Sequence, residues 1–167
     1  MGNWALAEKD FRIALKIHPN QPSLLNYFGY SLVEKGIHLD EALQLIKRAV
    51  EKQPDDGYIT DSLGWALYRL GKYSEAVIHM ERAVELMPLD PIVNDHLGDV
   101  YWAVNRRNEA RFQWHRALSF DPEKKDAERI YRVNIDNKTV GEVNKYVAVS
   151  GPLAEVMRED FPHAQLI

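Results

Sequence analysis

Apolar residues recur along this chain at helical spacing, in short segments that are separated by turn residues. One stretch shows the spacing on two consecutive helices: Leu63, Leu67 and Leu70 on the first, then Val77, Met80 and Val84 on the second. A glycine or an asparagine follows the first helix of each pair, at Gly36, Gly71 and Asn105, where the chain is expected to turn. The pattern therefore predicts helix pairs joined by short turns, and we name the two members helix A and helix B.

Small residues and prolines repeat along the chain at one interval. Successive members are 35, 34 and 34 residues apart in three rows: Ala7, Ala42, Ala76 and Ala110; Ala14, Ala49, Ala83 and Ala117; Pro19, Pro54, Pro88 and Pro122. A fourth row, Gly29, Gly64 and Gly98, has steps of 35 and 34. Small side chains let two helices approach closely, and proline stops a helix at its end. The chain is thus predicted to be an array of two-helix repeats.

The repeats resemble a known family pattern, Trp-x2-Leu-Gly-x2-Tyr, then Ala-x3-Phe, then Pro. Residues 91–124 follow this pattern as Asn94-x2-Leu97-Gly98-x2-Tyr101, Ala110-x3-Trp114 and Pro122, and the first tryptophan of the pattern is absent from all three repeats. Over residues 2–124 the chain is therefore similar to the tetratricopeptide-repeat (TPR) family, and it resembles the repeat region of longer bacterial TPR proteins. The resemblance implies an all-α fold, a right-handed α-solenoid of antiparallel helix pairs, and a function in binding other protein segments.

The repeat register also predicts how the chain is organised. The predicted parts are a half repeat with helix B only over 1–21, three full repeats over 22–56, 57–90 and 91–124, a capping helix over 125–137, and a C-terminal tail over 138–167 in which the sequence permits a short helix. A helix B without its helix A leaves one apolar face uncovered, whereas repeat arrays normally end in polar capping units. We interpret the half repeat as part of a longer protein, with an edge covered by another chain as the alternative.

Helix A of each repeat carries the residues that we expect to bind a partner. Stacked TPR units normally leave their A helices lining a concave groove, which takes an extended peptide or a helix. Position within helix A selects these candidates: Asn26, Tyr30 and Val33; Tyr58, Asp61, Trp65, Tyr68 and Arg69; Ile92, Asp95, Asp99 and Trp102. Aromatic residues are enriched in binding hot spots, and the carboxylates favour a segment with basic residues beside apolar anchors. As the alternative, the two tryptophans pack between repeats and the aspartates are only solvated.

One ligand class is not expected for this groove. TPR domains that grip the C-terminal carboxylate of chaperones resemble one another in a clamp of lysines, asparagines and arginine. The matching positions here are Asn26 and Tyr30, then Ser62, then Ile92 and His96. None of them is a lysine or an arginine and the nearby charges are negative, so a carboxylate clamp is not predicted.

Composition narrows the function further. The net charge of −4 and a pI near 5.9 argue against a nucleic-acid binder that neutralises phosphates. The chain has no cysteine, and no apolar run reaches the length of a membrane span. His96 could join Asp95 and Asp99 in a weak metal site, but an ordinary surface or partly buried histidine is the preferred interpretation. We therefore predict no enzyme activity, no catalytic residue, no metal site and no cofactor.

Two interpretations of the function remain open on the sequence. The first is an adaptor that binds a peptide or a helix of a partner protein in the groove, without nucleic acid and without a membrane span. The second is a structural element that self-assembles into homodimers or larger oligomers through the N-terminal helix and the C-terminal tail. The compartment is open as well: the cytoplasm, or the bacterial periplasm or envelope if the chain belongs to an exported protein.

Overall fold

A computed structural model describes residues 4–120 of the chain, and these residues form seven α-helices. The helices are α1 (Trp4–Ile17), α2 (Pro22–Lys35), α3 (Leu39–Lys52), α4 (Gly57–Arg69), α5 (Tyr73–Leu86), α6 (Pro91–Ala103) and α7 (Arg107–Phe120). No strand occurs between residues 4 and 120, in agreement with the predicted all-α class. The predicted capping helix over 125–137 and the tail over 138–167 lie outside the described residues.

Glycine and asparagine residues lie at the turns that the sequence predicts, and aspartate residues cap two of the helices. The backbone is left-handed at Gly36, Gly71 and Asn105, with φ of 65°, 75° and 63°, so each helix A turns sharply into its helix B. Asp56 and Asp90 cap α4 and α6, because their carboxylates accept hydrogen bonds from backbone N–H groups of the first turn. The turns predicted after each helix A are thus confirmed.

The glycines of helix A mark the closest contacts within each pair. A Cβ atom added to Gly64 would lie 2.7 Å from the side chain of Met80, and one added to Gly98 would collide with that of Trp114. Gly29 is similarly close to α3, so the absence of a side chain lets each helix A settle onto its helix B. The alanines of the B helices are fully buried in the same interfaces: Ala42, Ala76 and Ala110.

Contacts between helices define an inner and an outer layer. Each helix packs on its neighbours in the chain, and α4 also contacts both α2 and α6. By contrast, the pairs α3–α5 and α5–α7 make marginal contact at most. The A helices therefore form a close inner layer, and the B helices spread apart on the outside. This is the geometry of a solenoid with a concave inner face, and the predicted α-solenoid of helix pairs is confirmed.

Helix α1 occupies the place of a helix B and packs on the first full repeat. Its Phe11 stacks on Phe28 of α2, with ring centroids 5.1 Å apart. Ala7 is exposed, although the equivalent Ala42 of α3 is fully buried. The face of α1 that would meet a helix A is therefore uncovered within the described residues. Three large apolar residues of α1 are exposed as well: Leu6, Ile13 and Ile17.

Candidate functional site

The predicted groove residues of α2, α4 and α6 differ in their burial. The buried ones are Asn26, Val33, Asp61 and Trp65; the half-buried ones are Tyr30, Tyr68, Asp95, Asp99 and Trp102; the exposed ones are Tyr58, Arg69 and Ile92. We call the buried set the floor of the groove and the exposed set its rim. The two sets have different contacts and are described in turn.

Trp65 lies at the centre of the floor and contacts all three inner helices. Its indole stacks on His96 of α6, with ring centroids 4.1 Å apart, and on Tyr68 of its own helix, at 4.8 Å. Its Nε1 donates a hydrogen bond of 2.9 Å to Glu34 of α2. Because the side chain is only 2% exposed, it packs between repeats, as one of the two interpretations of the sequence proposed.

A buried ion pair joins α4 to α6 beside this stack. Nδ1 of His96 lies 3.0 and 3.1 Å from the two carboxylate oxygens of Asp61, and both side chains are buried. The interpretation of His96 as an ordinary surface or partly buried histidine was wrong, because Trp65 and Asp61 enclose it. Asp61 is likewise not a solvated aspartate. His96 therefore belongs to the floor.

The charge of His96 follows from its neighbours. Burial alone would lower the pKa of a histidine, since it disfavours the charged form. The negative charge of Asp61, its hydrogen bond, and the charges of Asp95 and Asp99 outweigh burial and raise the pKa of His96 to about 9. At neutral pH His96 is therefore a cation, and its Nδ1–H donates a hydrogen bond to the carboxylate of Asp61. The pair neutralises a carboxylate that would otherwise attract a basic partner.

The corresponding positions at the boundary between α2 and α4 are not bonded to each other. Asn26 has the register of Asp61 one repeat earlier, and Ser62 has the register of His96. The hydroxyl of Ser62 donates to the carbonyl oxygen of Tyr58, at 2.9 Å. Oδ1 of Asn26 is buried without a hydrogen-bond partner among residues 4–120.

Large side chains stand exposed along the rim. Tyr58 and Ile92 are the second residues of α4 and α6, and they are 60% and 47% exposed. Tyr27 of α2, which the sequence analysis did not select, is 66% exposed. Trp102 is half-buried on α6, where the guanidinium of Arg107 lies 4.3 Å from its ring centroid. Two of the three rim residues are thus an aromatic and an aliphatic side chain, and Arg69 adds a cation.

Two contacts of the floor escaped the sequence analysis because each joins residues about one repeat apart. Glu34 and Trp65 are 31 residues apart, and Asp61 and His96 are 35 residues apart. A repeat of 34 residues places such pairs on adjacent A helices. A search for complementary side chains at this separation is the signal that could have found them.

The inner face carries aromatic rings, hydrogen-bonding groups and charged side chains. No group of three or more His, Asp or Glu side chains among residues 4–120 could hold a metal ion together. None of the seven helices described is long and apolar enough to cross a membrane. Floor and rim supply stacking, hydrogen bonds and charge, which are the means by which a surface recognises a partner.

Stacked helix pairs with a concave inner layer define a helical-repeat protein. Two family models, both described as tetratricopeptide repeat, match the chain over residues 1–57 and 61–90. The chain belongs to the tetratricopeptide-repeat family, which confirms the resemblance in its sequence. Repeats of this family are typically non-enzymatic modules for protein interaction.

Similar proteins agree with this assignment. The TPR repeat-containing protein PA4667 of Pseudomonas aeruginosa is 40% identical over 72 residues, which are 43% of this chain and 12% of that protein. A crystal structure of MamA has a TM-score of 0.65 at 21% identity, covering 77% of this chain and 75% of that chain. The first TPR of Spaghetti (RPAP3), bound to the HSP90 peptide SRMEEVD, has a TM-score of 0.58 at 22% identity, covering 64% and 83%. At these identities the two structures show a shared fold alone.

Proposed function

We propose that the inner face of α2, α4 and α6 binds a segment of a partner protein that carries basic residues beside apolar anchors. The observation that carries the proposal is the exposure of Tyr58 and Ile92 on the rim. These residues are 34 positions apart and hold the same place on consecutive A helices. Large exposed side chains in register offer contacts to successive apolar side chains of one bound segment.

The negative charges of the inner face favour a partner segment that carries basic residues. Asp95 and Asp99 are half-buried and lie one turn apart on α6, and Glu34 is exposed on α2. Arg69 is the only exposed cation among the predicted groove residues. Because the ion pair of the floor already neutralises one carboxylate, the attraction for a basic partner rests on the three carboxylates of Asp95, Asp99 and Glu34.

The test of the apolar part uses the full chain and a display library of twelve-residue peptides that combine Lys or Arg with Leu, Val or Phe. Ile92→Ser removes an anchor from the rim, and Ile78→Ser removes an isoleucine that is 66% exposed on the outer helix α5. We expect the rim variant to bind a selected peptide about tenfold more weakly, or about 1.4 kcal/mol, and the outer variant to bind like the wild type. Equal losses in both variants, or no selected peptide at all, would contradict the proposal.

The electrostatic part has its own test. Affinity for the selected peptide should fall as the sodium chloride concentration rises, since salt screens charges at the protein surface. Fluorescence anisotropy at several salt concentrations measures this dependence. An affinity that does not change with salt contradicts the electrostatic part and leaves the apolar anchors standing.

The exposed apolar face of α1 favours a second candidate function, self-assembly with another copy of the chain. Leu6, Ile13 and Ile17 place three large exposed apolar side chains on one side of the helix. Sedimentation of the full chain should then show a mass that rises with concentration, and Ile13→Glu should abolish the rise. A constant monomer mass would rule this candidate out.

A further inference from the structure

An arginine at the same place on α5 and α7 reaches back to the loop that follows the preceding B helix. Arg116 of α7 donates to the carbonyl oxygen of Pro88, at 2.8 Å. Arg82 of α5, 34 residues earlier, instead pairs with the carboxylate of Asp55, at 3.0 Å, and both of these side chains are exposed. Because consecutive B helices otherwise make marginal contact at most, the two arginines link them on the outer side.

The boundary between α5 and α7 has a second outer link, which the boundary between α3 and α5 cannot form. Arg106, at the turn before α7, donates to the carboxylate of Glu81 on α5, at 2.7 Å. The hydroxyl of Tyr101 on α6 donates to the same carboxylate, at 2.8 Å. The residues that hold these three registers one repeat earlier are Lys72, Lys47 and Leu67. Two cations and an apolar side chain offer no acceptor, so the cluster has no counterpart there.

The inner layer differs between the same two boundaries. His96 of α6 pairs with Asp61 of α4 at 3.0 Å, and salt screens this pair little because both side chains are buried. The two residues in the same registers one repeat earlier are not bonded to each other. The inner link between α2 and α4 is the hydrogen bond of 2.9 Å from Trp65 to Glu34. The boundary with fewer outer links therefore also lacks the buried ion pair.

Boundaries of a solenoid share one packing geometry, so their relative stiffness depends on the links that individual side chains add. Exposed ion pairs such as that of Arg82 and Asp55 contribute little stability, and salt weakens them. We infer that the array bends at the boundary between its first and second full repeats, while the second and third full repeats move as one body. Bending there changes the width of the inner face between α2 and α4. This hinge is a property of the free protein and needs no bound segment.

Paired spin labels measure the two boundaries at one register, because the chain has no cysteine of its own. The label sites are the exposed second residues of α3, α5 and α7: Asp40, Ser74 and Asn108. In the full chain, Asp40→Cys with Ser74→Cys spans the hinge, and Ser74→Cys with Asn108→Cys spans the other boundary. Pulsed electron paramagnetic resonance should show a wider distance distribution across the hinge, and added NaCl should widen it further only there. Equal widths at the two boundaries, or widths that respond equally to salt, would overturn the inference.

Removal of one outer link should act mainly at the hinge. Arg82→Met removes the exposed ion pair, and it should widen the distance distribution across the hinge without changing that of the other boundary. The matched control is Arg116→Met, which removes an outer link where the buried pair of Asp61 and His96 remains. The control should widen the distribution at its own boundary by less. A larger widening in the control than in Arg82→Met would contradict the hinge.

A double substitution adds the missing outer link to the hinge. Lys47→Glu with Lys72→Arg supplies the carboxylate and the guanidinium that Glu81 and Arg106 provide one repeat later. This double variant should narrow the distance distribution across the hinge, because a new pair then joins α3 to the start of α5. Lys72→Arg alone leaves two cations in these registers and should not narrow it. An unchanged width in the double variant would mean that outer links do not limit bending, which would overturn the inference.

Discussion

The two boundaries between full repeats have the same helix packing and different polar side chains. Where α4 meets α6, the floor is closed by the pair of Asp61 and His96, with Trp65 stacked on the imidazole. Where α2 meets α4, Asn26 and Ser62 hold the equivalent positions and do not bond to each other. The repeat thus sets where a polar residue lies. The individual residue decides whether it bonds to the neighbouring repeat, as Asp61 does to His96, or does not, as with Asn26 and Ser62.

The largest effect on stability is expected from a substitution of Trp65, which contacts residues at both boundaries between repeats. Trp65→Ala removes a buried indole that stacks on His96 and bonds to Glu34, and it should lower the free energy of unfolding by about 5 kcal/mol. Denaturant titration followed by circular dichroism measures the change. The control is Trp102→Ala, which removes a half-buried side chain and should cost less. Equal losses of unfolding free energy in the two variants would mean that the contacts of Trp65 at the two boundaries contribute no additional stability.

The next prediction concerns two substitutions that give the boundary between α4 and α6 the polar residues of the boundary between α2 and α4. His96→Ser leaves the buried carboxylate of Asp61 without its cation, and it should lower the free energy of unfolding by about 4 kcal/mol. Adding Asp61→Asn reproduces the Asn26 and Ser62 combination, and it should recover roughly 2 kcal/mol because no charge remains buried. A double-mutant cycle measures the recovery. Strictly additive losses would mean that the two side chains act independently.

A change of pH is expected to have a smaller effect on the free energy of unfolding, through the pair of Asp61 and His96. The pKa of His96 is raised to about 9 in the folded protein, above its value of about 6.5 in the unfolded chain. The folded state therefore holds the proton more tightly, so the stabilisation is complete below pH 6.5 and is lost as pH rises through about 9. The loss should be on the order of 3 kcal/mol, measured as unfolding free energy at pH 6 and pH 10. The Asp61→Asn, His96→Ser variant should lack this component, and an identical pH profile would contradict the assignment.

Much of the fold could be predicted because it depends on local spacing. Glycine or asparagine at Gly36, Gly71 and Asn105 predicts the turns, since these residues adopt a left-handed backbone at low cost. The rows of glycine and alanine predict close helix pairs, since a larger side chain at Gly98 would collide with Trp114. The candidate site was predicted less completely. Register on helix A selected Asn26, but it assigned no partner to His96.

By itself, the sequence determined the helix pairs, the repeat length and the family. Each of these depends on the order of residues within one repeat. Only the tertiary structure decided that Trp65 and Asp61 are buried, that His96 is a cation, and that Oδ1 of Asn26 has no hydrogen-bond partner among residues 4–120. The physical reason is that the environment of an inner residue is set by side chains about 34 residues away, which only the packing of one repeat on the next brings into contact.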